Sequence, residues 1–208
     1  MIQWNDHYNK SKSSLSFPDE NLVRLIMKAD FNKDSVWLDC GTGSGRHLQL
    51  LDNLGFKNNI GTDISLNALK IADYNNEKNL LVADNRKMPF VENFFHGIIA
   101  WGSLHYNHKD YFPHMIKEIH RILKKEGRLL ATLRSEYDTH MKKGKDLGNN
   151  VWQTDLNDIK GSIASFYSKN EIDLYFENFS SVSIGLMERT LMGNLDVKIS
   201  HWIIEAIK

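Results

Sequence analysis

The stretch Val36-Trp37-Leu38-Asp39-Cys40-Gly41-Thr42-Gly43-Ser44-Gly45-Arg46-His47 constrains this chain more than any other. A short apolar run ends on a carboxylate, three glycines follow at alternate positions, and an amphipathic segment from Arg46 to Leu54 takes over. That order reads as a strand, a tight loop and a helix. Glycines spaced by two suit a backbone that takes φ > 0 or lets another group approach closely, so the loop is expected to press against a ligand. The free N–H groups of the new helix N-terminus would face the same space.

The flanking pattern repeats the alternation. Pro18-Asp19-Glu20 opens a helix whose apolar face carries Leu22, Val23, Leu25, Ile26 and Ala29. Leu48, Leu51 and Leu54 recur at helical spacing until Gly55 ends the run. A second strand over 59–63 ends in Asp63, a helix follows over about 66–74, and a third strand over 80–82 ends near Asp84. A fourth strand spans 97–101. Ile116, Ile119, Ile122 and Leu123 then share one helix face, Gly127 stops that helix, and 128–133 makes a fifth strand. From 135 to about 166 the pattern dissolves into polar sequence with isolated Tyr137, His140 and Trp152; the stretch 135–167 is expected to cover the substrate side. A helix over 169–179 and two strands, 181–186 and 200–207, close the chain. No helical crossover separates those two strands, so they are expected as an antiparallel pair at the sheet edge.

Strands alternating with helices of this length imply an α/β fold: a Rossmann-like, mostly parallel sheet with helices on both faces. Right-handed crossovers bring the strand C-termini to one edge, where ligands bind. Asp39, Asp63, Asp84 and Trp101 all fall at that edge.

A length of 208 residues fits one domain over 1–208, with an N-terminal helical segment over 1–34. Lys+Arg and Asp+Glu balance at 26 each, so no overall charge favours nucleic acid or an anionic membrane. The single cysteine, Cys40, pairs with nothing inside the chain, no zinc-ligand array is present, and a reducing cytoplasm is the expected location. The first sixteen residues are polar, with Trp4 and Tyr8 scattered through them, and lack the apolar core of a signal peptide. No run approaches a membrane span in length.

The loop spacing separates two ligand classes. The dinucleotide fingerprint is G-x-G-x-x-G, and Arg46 occupies the position of its final glycine. The pattern is instead D-x-G-x-G-x-G over 39–45, which resembles motif I of the class I S-adenosylmethionine-dependent methyltransferases. The resemblance extends from about Ser35 to the end and implies a seven-stranded sheet with one antiparallel strand. It implies S-adenosyl-L-methionine as cofactor, with Asp39, Gly41, Gly43 and Gly45 matching motif I. Asp63, with Ile64 beside it, matches the acid that accepts both ribose hydroxyls, and a carboxylate suits a vicinal diol because each oxygen can accept a hydrogen bond. Asp84-Asn85 matches the pair that meets the adenine, and Trp101 ends the fourth strand. Met88-Pro89-Phe90 and Glu118-Ile119-His120-Arg121-Ile122-Leu123 continue the pattern, and Gly45-Arg46-His47 is similar to the small-molecule and tellurite-resistance-like branches. The chain departs from the family at His96, where Asp is usual, and at Lys125-Glu126-Gly127, where Pro-Gly-Gly is usual.

Simpler roles stand beside these. Asp39 and Asp63 are also suited to capping the turn or helix that follows each of them. Arg46 either pairs with the cofactor carboxylate or is a solvated helix residue, and Cys40 reads as a small packed residue.

Methyl transfer is a displacement at carbon in which a neutral thioether leaves, so alignment of the reactants supplies much of the rate, up to ~7–11 kcal/mol in favourable cases. A hydroxyl acceptor also needs a base. His105, just past the fourth strand, is the candidate, with a backbone-bonded loop histidine as the alternative; Tyr106 and His108 are further candidates, and Arg134 suits an anionic substrate. No Asn/Asp-Pro-Pro-Tyr segment follows the fourth strand, which disfavours nucleobase amino groups, and no acidic cluster near Trp101 and Arg134 suits Mg²⁺. The expected activity is therefore metal-independent methylation of a small molecule at oxygen, with no nucleic-acid or membrane partner. The alternatives are an inactive S-adenosylmethionine-binding regulatory or scaffold subunit and, less well matched, a nicotinamide-dependent dehydrogenase. Neither the acceptor nor the oligomeric state is legible.

Overall fold

In the computed structural model, residues 2–9, 16–73, 79–156 and 159–208 are described. The strands β1 (Val36–Cys40), β2 (Asn58–Asp63), β3 (Asn79–Val82), β4 (Phe95–Ala100) and β5 (Leu123–Ser135) lie in the order β3-β2-β1-β4-β5, and all are parallel. On the far edge of β5 runs β10 (Asn194–Ile207), antiparallel to it and to β9 (Ser181–Leu191) beyond it. These seven strands correspond to the mostly parallel sheet expected from the sequence, with β10 as the reversed strand.

Period-two alternation gives the sheet two apolar faces. Leu38, Ile98, Leu129 and Leu133 pack on Met115, Ile119 and Ile122 of α5 (Phe112–Ile122) and on Ile172 of α6 (Lys169–Tyr175). Trp37, Ile99 and Leu130 face the other way, onto Leu22 and Ile26 of α2 (Glu20–Lys28) and Leu50 and Leu51 of α3 (Arg46–Asn53). A Cβ at Gly97 would lie 2.5 Å from the Trp37 ring, so the bare backbone of β4 makes room for that indole.

Several boundaries differ from expectation. The helix α4 (Leu66–Ala72) is N-capped by Ser65, whose hydroxyl accepts from the Ala68 N–H, and not by Asp63; Tyr74 lies outside the described residues. α5 ends at Ile122, and Leu123 already belongs to β5, pairing with Phe95 ahead of an irregularity. Gly127 sits inside that irregularity beside Glu126 at φ +61°, so it shapes the strand and does not stop the helix. α6 is shorter than expected, whereas β9 and β10 run several residues further towards their shared hairpin. The departure at His96 has a local use: its Nδ1 accepts from the Val36 N–H at 2.9 Å, at the start of β1.

The stretch expected as a substrate-side cover is partly folded. β6 (Gly144–Asp146), β7 (Val151–Thr154) and β8 (Ile163–Tyr167) form an antiparallel meander, and β8 pairs with the end of β5 through Arg134 and Ser135, extending the sheet to ten strands. At the N-terminus, α1 (Ile2–Tyr8) packs against α4. No helix among the described residues is long and apolar enough to cross a membrane.

Candidate functional site

The loop after β1 is held against its neighbours on several sides. The N–H groups of Gly41 and Thr42 both donate to the Thr62 carbonyl at 2.8 Å, and the Ser103 hydroxyl donates to the Cys40 carbonyl at 2.6 Å. Gly41 and Gly43 adopt φ of +76° and +56°. A Cβ at Gly41 would lie 2.5 Å from the Ser103 Cβ, and one at Gly43 would lie 2.5 Å from the Tyr8 hydroxyl oxygen. Only glycine fits both the conformation and the space.

Beneath the loop, Asp39 is fully buried. It accepts from the Thr42 hydroxyl at 2.6 Å, and its other oxygen lies 3.3 Å from His47 Nδ1. Arg46 Nε donates in turn to His47 Nε2 at 3.1 Å, and Arg46 Nη1 donates to the Phe17 carbonyl at 3.3 Å. Burial lowers the Arg46 pKa, with nearby Asp39 acting against the shift.

Asp63, at the end of β2, accepts from the Gly43 N–H at 2.9 Å on one oxygen and from the Ser65 N–H at 2.8 Å on the other. Burial raises its pKa, and these amides work against that rise. The Ile64 N–H adds to them, and the carboxylate keeps acceptor capacity beyond these three amides. Asp84, past β3, is gripped by the Arg86 guanidinium, which holds its carboxyl below the usual range. Asn85 Oδ1 accepts from the Cys40 thiol at 3.0 Å. That thiol is buried and its pKa is pushed up by desolvation, which makes Cys40 the packed, unreactive residue expected of it.

Gly41, Gly43, Arg46, Asp63, Ile64, Asp84, Asn85, Trp101 and His105 all line one cavity of about 780 Å³. That volume is on the scale of cofactor pockets, typically about 300–1,000 Å³. Asp39 and Gly45 do not line it; they sit behind the loop and shape it. His108 lies outside it too, because its ring accepts from the Asp110 N–H and caps the short 3₁₀ turn Lys109–Tyr111. Tyr106 and Arg134 are on the wall.

His105, on the 3₁₀ turn Leu104–Tyr106, is buried. Desolvation, with Arg134 and His201 close by, holds its pKa well below the usual histidine value, so the ring is neutral at neutral pH. The Thr132 backbone hydrogen-bonds the ring, while Nδ1 has no partner among the described residues.

The sequence reading missed two parts of the wall. α1 lies across it: Asn5 Oδ1 accepts from the Ser65 hydroxyl at 2.7 Å, Tyr8 covers Gly43, and Trp4 meets Tyr106 edge-on at 5.0 Å. Trp4 and Tyr8 are four apart and share a helix face, a spacing that was available as a signal. The other part comes from β9 and β10, through Met187, Arg189 and His201. Among the described residues no three His, Cys, Asp or Glu side chains group as metal ligands would.

Comparison with known proteins agrees with this geometry. Residues 38–131 match the family described as methyltransferase domain. Two uncharacterized proteins of Methanocaldococcus jannaschii are similar, one 32% identical over 116 residues (55% of this chain and 43% of that protein) and the other 33% identical over 132 residues (62% and 55%). The chain thus spans about half the length of the curated relatives it matches. Among solved structures, the SAM-dependent methyltransferase of Methanosarcina mazei superposes with a TM-score of 0.72 at 18% identity, covering 88% of this chain and 96% of that one. The fold is that of this solved methyltransferase, and residues 38–131 carry the match to a methyltransferase domain.

Proposed function

We propose that this protein transfers a methyl group from S-adenosyl-L-methionine to a small molecule in the cytoplasm, at oxygen and without a metal ion. The observation that carries the reading is convergence: a glycine loop, the two strand-end acids Asp63 and Asp84, and a neutral buried imidazole open onto one cavity. A likeness to the small-molecule and tellurite-resistance-like branches, through Gly45-Arg46-His47, supports the choice of acceptor class.

The residues present fit the donor. Gly41 and Gly43 leave a cradle that a Cβ would fill, beside the Arg46 guanidinium, which suits the carboxylate of the donor's amino-acid part. Asp63 retains acceptor capacity for the ribose hydroxyls, and Asp84-Asn85 would meet the adenine. When bound, S-adenosyl-L-methionine supplies a methyl group on a sulfonium that leaves as a neutral thioether, so no acid is needed. The walls position the reactants and exclude water, while His105 Nδ1, neutral and unpaired, takes the proton of an acceptor hydroxyl.

Calorimetric titration with S-adenosylmethionine, S-adenosylhomocysteine and NAD tests the cofactor. Binding of the first two, abolished in Asp63→Ala, supports the reading, and binding of NAD alone overturns it. An inactive binding subunit would hold the donor yet methylate nothing in a small-molecule extract.

A further inference from the structure

The register of three strands gathers polar side chains at one end of the cavity for which donor binding has no use. His201 on β10 lies directly across from Arg134 on β5 and from Met187 on β9, and Ile199 lies across from Arg189. Cross-strand partners project from the same face of a sheet, and period two adds Thr132 to that face. Thr132, Arg134, Met187, Arg189 and His201 accordingly all line the cavity, while Leu133 and Trp202 between them turn into the core.

Positive charge and hydrogen-bonding capacity are left over there. Arg134 Nη1 donates to Asp138 Oδ2 at 2.5 Å, but its buried Nε has no partner among the described residues, and neither has Nδ1 of His105 or of His201. The two imidazole rings are 5.7 Å apart. Arg189 is exposed and makes no ion pair with a described residue; its neighbour Glu188 is taken by Lys198 and by the Ser200 hydroxyl. The carboxylates close by are committed as well: Asp138 also accepts from the N–H groups of Ser200 and Met141, and Asp19 N-caps α2 through the Asn21 N–H.

We propose that this end of the cavity is the methyl-acceptor subsite, and that it takes a small anionic molecule, a carboxylate or phosphate that also carries the nucleophilic hydroxyl. The anion sits on Arg189 and the Nε of Arg134, and the hydroxyl points to His105. As the acceptor oxygen bonds to the methyl carbon, its proton passes to His105 Nδ1 and the electron pair of the breaking carbon–sulfur bond stays on sulfur. His201, which burial and Arg134 push down to about 4, remains a neutral hydrogen-bonding partner at the subsite. This inference rests on the methyltransferase reading of the cavity.

The test follows the His105 and His201 imidazole resonances by nitrogen–proton NMR, assigned with His105→Gln and His201→Gln. Benzoate, phenyl phosphate and uncharged benzyl alcohol are titrated with and without saturating S-adenosylhomocysteine. At least one anion is expected to shift both signals with an affinity about tenfold or more above that of the alcohol. Arg189→Ala is expected to remove that margin and leave S-adenosylhomocysteine affinity unchanged. The better of the two anions identifies carboxylate or phosphate. An alcohol that binds as well as both anions, signals that no anion moves, or a margin that survives in Arg189→Ala overturns the proposal. Failure of S-adenosylhomocysteine to bind strikes the donor reading instead, and the titrations without it still decide the anion site.

Discussion

The His47 imidazole lies 3.3 Å from the Asp39 carboxylate, with both side chains buried beneath the glycine loop. Because Thr42 bonds the same carboxylate and Arg46 bonds the far side of the imidazole, the floor of the loop is tied to a guanidinium on the cavity wall. Asp39 is therefore expected to act as a positioning residue. Asp39→Ala leaves a buried hydroxyl and ring nitrogen without an acceptor and is expected to cost about 1–3 kcal/mol, measured by urea unfolding. His47→Ala keeps the carboxylate but unties Arg46, and it is expected to weaken S-adenosylhomocysteine binding in calorimetry. Unchanged affinity in that variant would show that the connection does not reach the cavity.

Gly43→Ala faces two obstacles that can be separated. At φ +56° an L side chain costs about 1–2 kcal/mol, and the new methyl would meet the Tyr8 hydroxyl oxygen at 2.5 Å. Tyr8→Ala should restore the second part of the loss and leave the first. Denaturation of Gly43→Ala alone and in combination with Tyr8→Ala measures both. A double variant no more stable than the sum of the two losses would mean that α1 yields without resistance.

Acid should unfold the protein partly through two histidines. The unfolded chain protonates both near their ordinary value of about 6.5. Folded His201 does so only at about 4, and folded His105 well below its usual range. The unfolded state therefore holds more protons throughout that window. Stability from these groups is fully present above about pH 6.5 and falls with pH below it, by up to about 1.4 kcal/mol per unit for each. His201→Gln should flatten the fall, as read from unfolding midpoints on either side of pH 6. Parallel curves for the two proteins would refute the assignment.

How much of this was legible depended on the range of the interaction. Gly41, Gly43, Asp63 and Asp84 could be placed on one edge because they end or follow β1, β2 and β3, and a parallel sheet brings strand ends to one edge whatever the detailed register. His201 and Arg189 were missed because their place on the wall depends on which residue of β10 faces which residue of β5 and β9, and a one-residue slip would have turned them away. β6 is exposed at every position and shows no alternation to read. The early start of β5 was hidden because Leu123 pairs with Phe95 before the kink at Glu126, so its apolar side chain continued the helical pattern of α5. Tyr8 owes its role to the missing Cβ of Gly43, thirty-five residues away in the chain.

Lys109 and Glu171 give an asymmetric prediction far from the glycine loop. Lys109 is 2% exposed, and its ammonium donates to Glu171 Oε1 at 2.7 Å, while Glu171 also closes the capping box of α6 by accepting from the Ser168 N–H at 2.9 Å. Removing the carboxylate strands a buried ammonium, whereas removing the ammonium leaves a carboxylate that is part-exposed and still holds the cap. Glu171→Ala is therefore expected to cost about 3–5 kcal/mol, the usual loss when a buried charge loses its partner, and Lys109→Met clearly less. Urea unfolding of the two variants decides between this and a simple pairwise bond, for which the two losses would be equal.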